Sequence, residues 1–204
     1  MRSRPWLTWS IAGAIAALCL GLAPLLILLP LLGRDYTDGS GGYAGLLAGF
    51  GAGTVLGAVA AVRWSGPRRG VAGQLGVTAV GLPMGVLAMP GSAVVAVVSV
   101  VVAAAGYGLF GVVWTTALQD QVPSEVLGRV AAVDTALGLG AMPLGYLLGG
   151  QLAQGIGLHQ SLVPLAPSAV VAGLAPLAVS SVRGYGLVGL KAEETDPAHS
   201  QTGK

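Results

Sequence analysis

Charge is confined to a few points along this chain. No Asp, Glu, Lys or Arg stands between Arg4 and Arg34, between Asp38 and Arg63, between Arg69 and Asp120, or between Asp134 and Arg183. A water-soluble helical protein needs charge along the outer face of every helix, and an average globular domain is about 25% charged. Here 9% of residues are charged, 54% are hydrophobic and the mean hydropathy is +0.79. A chain built this way lacks the material for a water-facing surface. The neutral runs match a different solvent, because roughly 20 apolar residues in a helix cross about 30 Å of hydrocarbon.

Six such segments are predicted, at about 6–32, 41–62, 70–89, 93–118, 127–156 and 162–182, which makes the fold all-α and polytopic. Polar or glycine-rich stretches at 33–42, 63–70, 120–124 and 155–161 divide them. The turn Met89-Pro90-Gly91-Ser92 divides the third from the fourth, since joining its flanks would give one helix of about fifty residues, longer than any bilayer requires. Arg2 and Arg4 followed by the apolar run from Ile11 to Leu22 imitate a signal peptide. The run continues through Leu32 with no small-x-small cleavage site before a polar start, so it reads as a retained helix. The transmembrane domain covers 1–190, and the polar tail at 191–204 is expected to be disordered.

Cytoplasmic loops are enriched in Lys and Arg. With six crossings, one side carries Arg2, Arg4, Arg63, Arg68, Arg69, Arg129, Arg183, Lys191 and Lys204, and the other only Arg34. Both termini are therefore expected in the cytoplasm and the chain in the cell membrane. Trp6, Trp9, Trp64 and Trp114 fall near the cytoplasmic ends of their helices, where an interfacial aromatic belt accounts for them.

Glycine is not confined to turns. In the second segment Gly45, Gly49, Gly53 and Gly57 recur every four residues; in the fifth, Gly138, Gly145 and Gly149 share a face with Ala141. Lipid supplies little hydrophobic force between helices, so small residues act by letting backbones approach. These two segments are the predicted helix-packing interfaces. Each is the second helix of a three-helix half, the pattern of a 3+3 inverted repeat.

Asp134 is the one acidic residue inside a predicted span. It sits roughly 7 Å deeper than Arg129 at 1.5 Å per residue, on the helix face of Gly138, Ala141 and Gly145. An intramembrane carboxylate is costly and points to function, either proton coupling or a charge-paired gate. The plainer reading is a shallow ion pair with Arg129, Arg68 or Arg69. Glu125 and Arg129 are spaced i,i+4 at a helix start, in the order that suits pair geometry and the helix dipole. Gln74, Thr78, Ser99, Thr54, Thr115, Thr116 and Tyr107 could line a polar path, or could equally bond their own helix backbones.

Enzyme chemistry is not indicated. His159 and His199 stand apart with no partner at metal-ligand spacing, Cys19 is alone in an apolar run, and Gly138-Leu139-Gly140 lacks the strand and third glycine of a dinucleotide fingerprint. No cofactor or metal is expected. The small net charge of +2 without a basic stripe excludes a nucleic-acid partner.

The junction Leu118-Gln119-Asp120-Gln121-Val122-Pro123-Ser124-Glu125-Val126-Leu127-Gly128-Arg129-Val130 resembles the Pro-x-x-x-x-Gly-Arg junction before the eleventh helix of major facilitator superfamily exporters, in the enterobactin-exporter-like group. Gly57-Ala58-Val59-Ala60-Ala61-Val62-Arg63-Trp64-Ser65-Gly66-Pro67-Arg68-Arg69 resembles the superfamily's glycine-rich helix ending in a basic cytoplasmic loop. It lacks the acidic residue usual there, which removes a partner that a charge relay in that loop would need. Pro24 to Leu32 resembles the end of the seventh helix, and the resemblance as a whole runs from about Pro5 to Arg183.

The resemblance implies the C-terminal six-helix half of a rocker-switch transporter, driven by an ion gradient and exporting a small molecule. It further implies that the second and fifth segments form the interface between the halves. The family's working unit has two such halves, so partners besides the lipid bilayer and the substrate would be a second copy or a separate N-terminal half. The scarcity of interior charge favours an amphipathic or apolar solute. Alternatives are a non-transporting or truncated six-helix membrane protein, or a permease subunit of another transporter class; the short inner loops speak against an ATPase-docking helix.

Overall fold

A computed structural model of the protein describes residues 5–36, 41–63, 69–89 and 91–178. All regular structure among these residues is helical, as hydrocarbon demands of a backbone that must satisfy its own hydrogen bonds. Helix α1 (Pro5–Ala17) runs through a π turn (Leu18–Leu22) into α2 (Ala23–Tyr36), making one continuous first rod. Then come α3 (Gly41–Arg63), α4 (Arg69–Thr78), α5 (Gly81–Leu87), α6 (Ala93–Gln121), α7 (Ser124–Ile156) and α8 (Leu158–Leu174), which closes in a 3-10 turn, Ala175–Ala178. Five stretches are long and apolar enough to cross a membrane: Ile11–Tyr36, Gly41–Arg63, Ala93–Asp120, Ser124–Ile156 and Leu158–Ala178. The chain is a helical, multi-pass membrane protein.

The third crossing differs from the expected single helix over 70–89. It is built from α4 and α5, broken at Ala79–Val80. Pro83 explains the break: it has no N–H to offer the Ala79 carbonyl, and its ring crowds the turn before it. Val80 accordingly reaches back only three residues, to the Val77 carbonyl at 3.3 Å. In the first rod the widened turn hands the Ala23 N–H to the Leu18 carbonyl, directly before Pro24, which cannot donate. The loop expected at 155–161 shrinks to one residue. Gly157, at φ 96°, lies in the left-handed region that favours glycine, and it turns α7 into α8.

The first rod runs through the centre. Leu25, Leu28, Leu29 and Leu32 are fully buried and pack with Leu46, Met84, Leu87, Val100 and Leu162. Toward the opposite end, Ala14, Ala17, Val77, Phe110, Trp114, Ala117, Leu118 and Ala172 form a second cluster. By contrast, α7 buries only Ala141, Gly145 and Gly149 of its 33 residues, so a single narrow stripe holds the longest helix to the rest.

The glycine stripes settle onto particular neighbours. A methyl group at Gly53 or Gly57 would overlap the main-chain carbonyl of Val101 or Ala105 on α6, and one at Gly108 would overlap that of Thr54 on α3. On α7, Gly145 faces Cys19 and Ala23, and Gly149 faces Pro24 and Ile27, all on the first rod. Gly138 is looser, with Leu18 the nearest side chain at 3.6 Å from an added methyl. Gly45 is exposed and meets nothing. Two sequence readings change as a result. Gly45 is outside the α3 seam, and the stripes bind each helix within this chain rather than facing outward toward a second six-helix half. The outward sides of α3 and α7 carry apolar side chains instead, among them Leu47, Val59 and Val62, and Leu137, Leu144 and Leu147.

Candidate functional site

Helices α6 and α7 meet at a two-residue turn, Val122-Pro123. The residue before a proline is driven to extended backbone, and Val122 takes φ −105°, ψ 126°. The α7 backbone is engaged at once, Leu127 N–H donating to the Pro123 carbonyl at 3.0 Å. This turn sets the C-terminal part of α6 beside the N-terminal part of α7. Across it the Trp114 indole Nε1–H donates to Asp134 Oδ2 at 2.9 Å. Trp114 is 7% exposed, and its ring stacks on Phe110 with centroids 6.1 Å apart and planes 14° from parallel. The interfacial belt reading of Trp114 is therefore corrected: its ring is buried and its polar edge is spent on a carboxylate.

Among the described residues, the ion pairs expected with Arg129 are not formed. Among the described residues neither Asp134 nor Glu125 has a cation within ion-pair distance; the one such pair joins His159 and Asp35. Geometry gives the reason. At 3.6 residues per turn, five residues rotate about 140° past a full turn, so Arg129 points away from the face that carries Asp134. Glu125 and Arg129 are both exposed, where a pair gains little against the entropy of holding two long side chains. The side chains of Arg68, Arg69, Trp6, Trp9 and Trp64, and the tail at 191–204, lie outside the described residues. So the site as built is a half-buried carboxylate with one neutral hydrogen-bond donor and no cation among those residues.

The polar path suggested by the sequence is largely self-satisfied. Thr54, Thr78, Thr115 and Thr116 each donate to the carbonyl four residues back on their own helix. Gln74 is the exception: it is 1% exposed, and its Nε2 donates to the Gly173 carbonyl at 2.7 Å, tying α4 to α8. Tyr107 lies against Phe50, ring centroids 6.5 Å apart. An open groove of about 370 Å³ runs along the outer side of α7, lined by Pro143, Tyr146, Leu147, Gly150, Gln151 and Gln154. It places two glutamines on a helix side that is otherwise apolar. Neither the Trp114–Asp134 bond nor this groove follows from residue spacing alone. A clue to the first lies in the sequence: Phe110, Trp114, Ala117 and Leu118 share one apolar helix face, which argues for burial.

Comparison with known proteins gives a partial match. The chain is 35% identical over 77 residues to the multidrug efflux pump Tap of Mycobacterium tuberculosis and of Mycobacterium bovis. The matched stretch is 38% of this chain and 18% of the pump, so the chain covers well under two thirds of that relative. No family model matches the chain, and no solved structure matches it at a significant level.

Proposed function

We propose that the chain is a six-helix unit of a secondary active exporter of the major facilitator kind, moving an amphipathic or apolar small molecule out of the cell at the expense of an ion gradient. The observation that carries this reading is the partial match to a multidrug efflux pump. Packing supports the 3+3 inverted repeat. The glycine seam of the second crossing on the fourth (α3 on α6) has its counterpart in the seam of the fifth on the first (α7 on the first rod). Exchanging the two three-helix repeats maps one seam onto the other.

In this arrangement the unit sits in the cell membrane with both termini inside, as the loop charges favour, and Asp134 lies toward the cytoplasmic end. It is the carboxylate that takes up and releases the coupling proton, with Trp114 holding it in place. The outward sides of α3 and α7, largely apolar away from their charged cytoplasmic ends and the Gln151–Gln154 groove, seat a second six-helix unit, either another copy or a separate N-terminal half. The working transporter then has twelve helices around a central path.

Light scattering on the purified protein, with detergent subtracted, tests the two-unit requirement. The reading expects twice the 20.1 kDa chain mass, or a stoichiometric complex with a second membrane chain from the encoding host. A monomer that transports unaided in liposomes would overturn it.

A further inference from the structure

At the end of the bundle away from the α6–α7 turn, three helix ends converge on one histidine. His159, second residue of α8, has Nδ1 2.8 Å from the Leu87 carbonyl at the end of α5, and Nε2 3.2 Å from Asp35 Oδ2 near the end of α2. The Tyr36 ring packs at right angles to the imidazole, centroids 6.1 Å apart and planes 86° apart. Its hydroxyl reaches the Met89 carbonyl at 3.5 Å. Both atoms facing the ring are acceptors only. A carbonyl has no proton to give, and an ionised carboxylate has none either. A neutral imidazole donates from one nitrogen and presents a lone pair at the other. Only the imidazolium, a donor at both nitrogens, completes this pair of contacts.

We infer that His159, the Leu87 carbonyl and Asp35 form a proton-binding site that ties the first rod, the third crossing and the last helix together when occupied, and loosens them when the proton leaves. Histidine is the side chain whose charge changes between about pH 5 and 8. The sign follows from the contacts: below that range both bonds are made, and above it one is replaced by a lone pair facing an oxygen. The charges around the ring are few. Asp35 favours the cation, as does the C-terminal carbonyl of α5. The N-terminal end of α8 opposes it, and exposed Arg34 stands beside Asp35 on α2. From the end of α7 no titratable side chain faces the ring, and Asp38 lies outside the described residues. His159 is 27% and Asp35 50% exposed, so the proton can exchange with solvent. The inference concerns the fold and does not depend on the transport reading. If the protein does export, the tie lies at the external end, and its opening answers to pH there.

Two measurements on the full chain in detergent test it. With ¹⁵N-labelled histidine, His199 is the one other histidine and serves as an internal reference. The inference predicts a His159 ring protonated at both nitrogens at pH 5.5 and at one by pH 8.5. A ring with a single protonated nitrogen at pH 5.5 overturns it. Thermal unfolding of the wild type is expected to fall by about 2–4 °C between those pH values, with the drop removed in His159→Gln and reduced in Asp35→Asn. A wild-type drop that persists unchanged in His159→Gln also overturns it. The spectrum is recorded on unaltered protein, so it decides even where a variant fails to fold.

Discussion

Substituting Gly57 with alanine probes the seam on which the packing argument rests. In the native structure the new methyl would sit 2.7 Å from the Ala105 carbonyl carbon and 2.8 Å from its Cα, both main-chain atoms of α6. Ordinary carbon contacts lie at about 3.5–4.0 Å, so α3 and α6 must part by roughly 1 Å over that turn. No side chain can rotate away, because the obstruction is backbone. Overpacking of this kind costs about 1–3 kcal/mol, and the upper end applies here. Alanine's better helix propensity returns about 0.8–1.0 kcal/mol. The net is a loss of about 2 kcal/mol, a factor of up to roughly 30 in the folded-to-unfolded ratio. The assay is reversible unfolding in mixed micelles of rising denaturing-detergent fraction, with Gly45→Ala and Gly51→Ala as controls. Nothing lies within 4 Å of an added methyl at either control position, so both are expected to match or slightly exceed wild-type stability. A Gly57→Ala variant within about 0.5 kcal/mol of wild type, the ordinary range of an inconsequential surface change, would refute the seam. So would a Gly45→Ala variant as damaged as Gly57→Ala.

Three further outcomes follow from the α6–α7 junction. Trp114→Phe keeps the aromatic stack but strands the Asp134 carboxylate, and should cost about 1–3 kcal/mol in the same assay; combining it with Asp134→Leu should cost less than the two single changes added together. Glu125→Gln and Arg129→Gln should each leave stability within about 0.5 kcal/mol, because both side chains are exposed and neither forms an ion pair among the described residues; a larger loss would reinstate the pair that spacing suggested. Asp134→Asn retains an acceptor for the indole, so stability should stay within about 1 kcal/mol while proton-coupled export disappears; equal export by the variant would remove Asp134 from the coupling role.

Much of the architecture is legible in the chain because hydrocarbon is an exacting solvent. Neutral runs ending at Arg34, Arg63 and Asp120 mark helix ends within a few residues, and the α6–α7 turn falls at Val122-Pro123 as the proline requires. Spacing also groups Gly49, Gly53 and Gly57 on one face. What spacing cannot reveal is the neighbour that this face meets. The same stripe would suit a seam within the unit or an interface between units, and only the three-dimensional packing assigns it to α6. The break at Val80 was readable in principle from Pro83 but is hidden in a hydropathy average, which is unaffected by a missing N–H. At the candidate site, Asp134 stands out by its charge alone. Its partner does not, because a tryptophan near a helix end is equally at home in an interfacial belt, and the indole's direction depends on how α6 and α7 cross. His159 is still less visible: a lone histidine in a predicted loop gains meaning only when Leu87 and Asp35, 72 and 124 residues away in sequence, arrive beside it.

Export itself is the claim from which the rest draws its functional meaning. The most direct measurement uses inverted membrane vesicles from the encoding host with the gene deleted, supplied in trans with the wild-type chain, with the Asp134→Asn variant, or with neither. Each preparation is given a panel of amphipathic dyes and an imposed proton gradient. The account predicts dye uptake into vesicles carrying the wild-type chain that collapses with a protonophore and is absent from the other two. Uptake that is indistinguishable among all three preparations across the panel would contradict it.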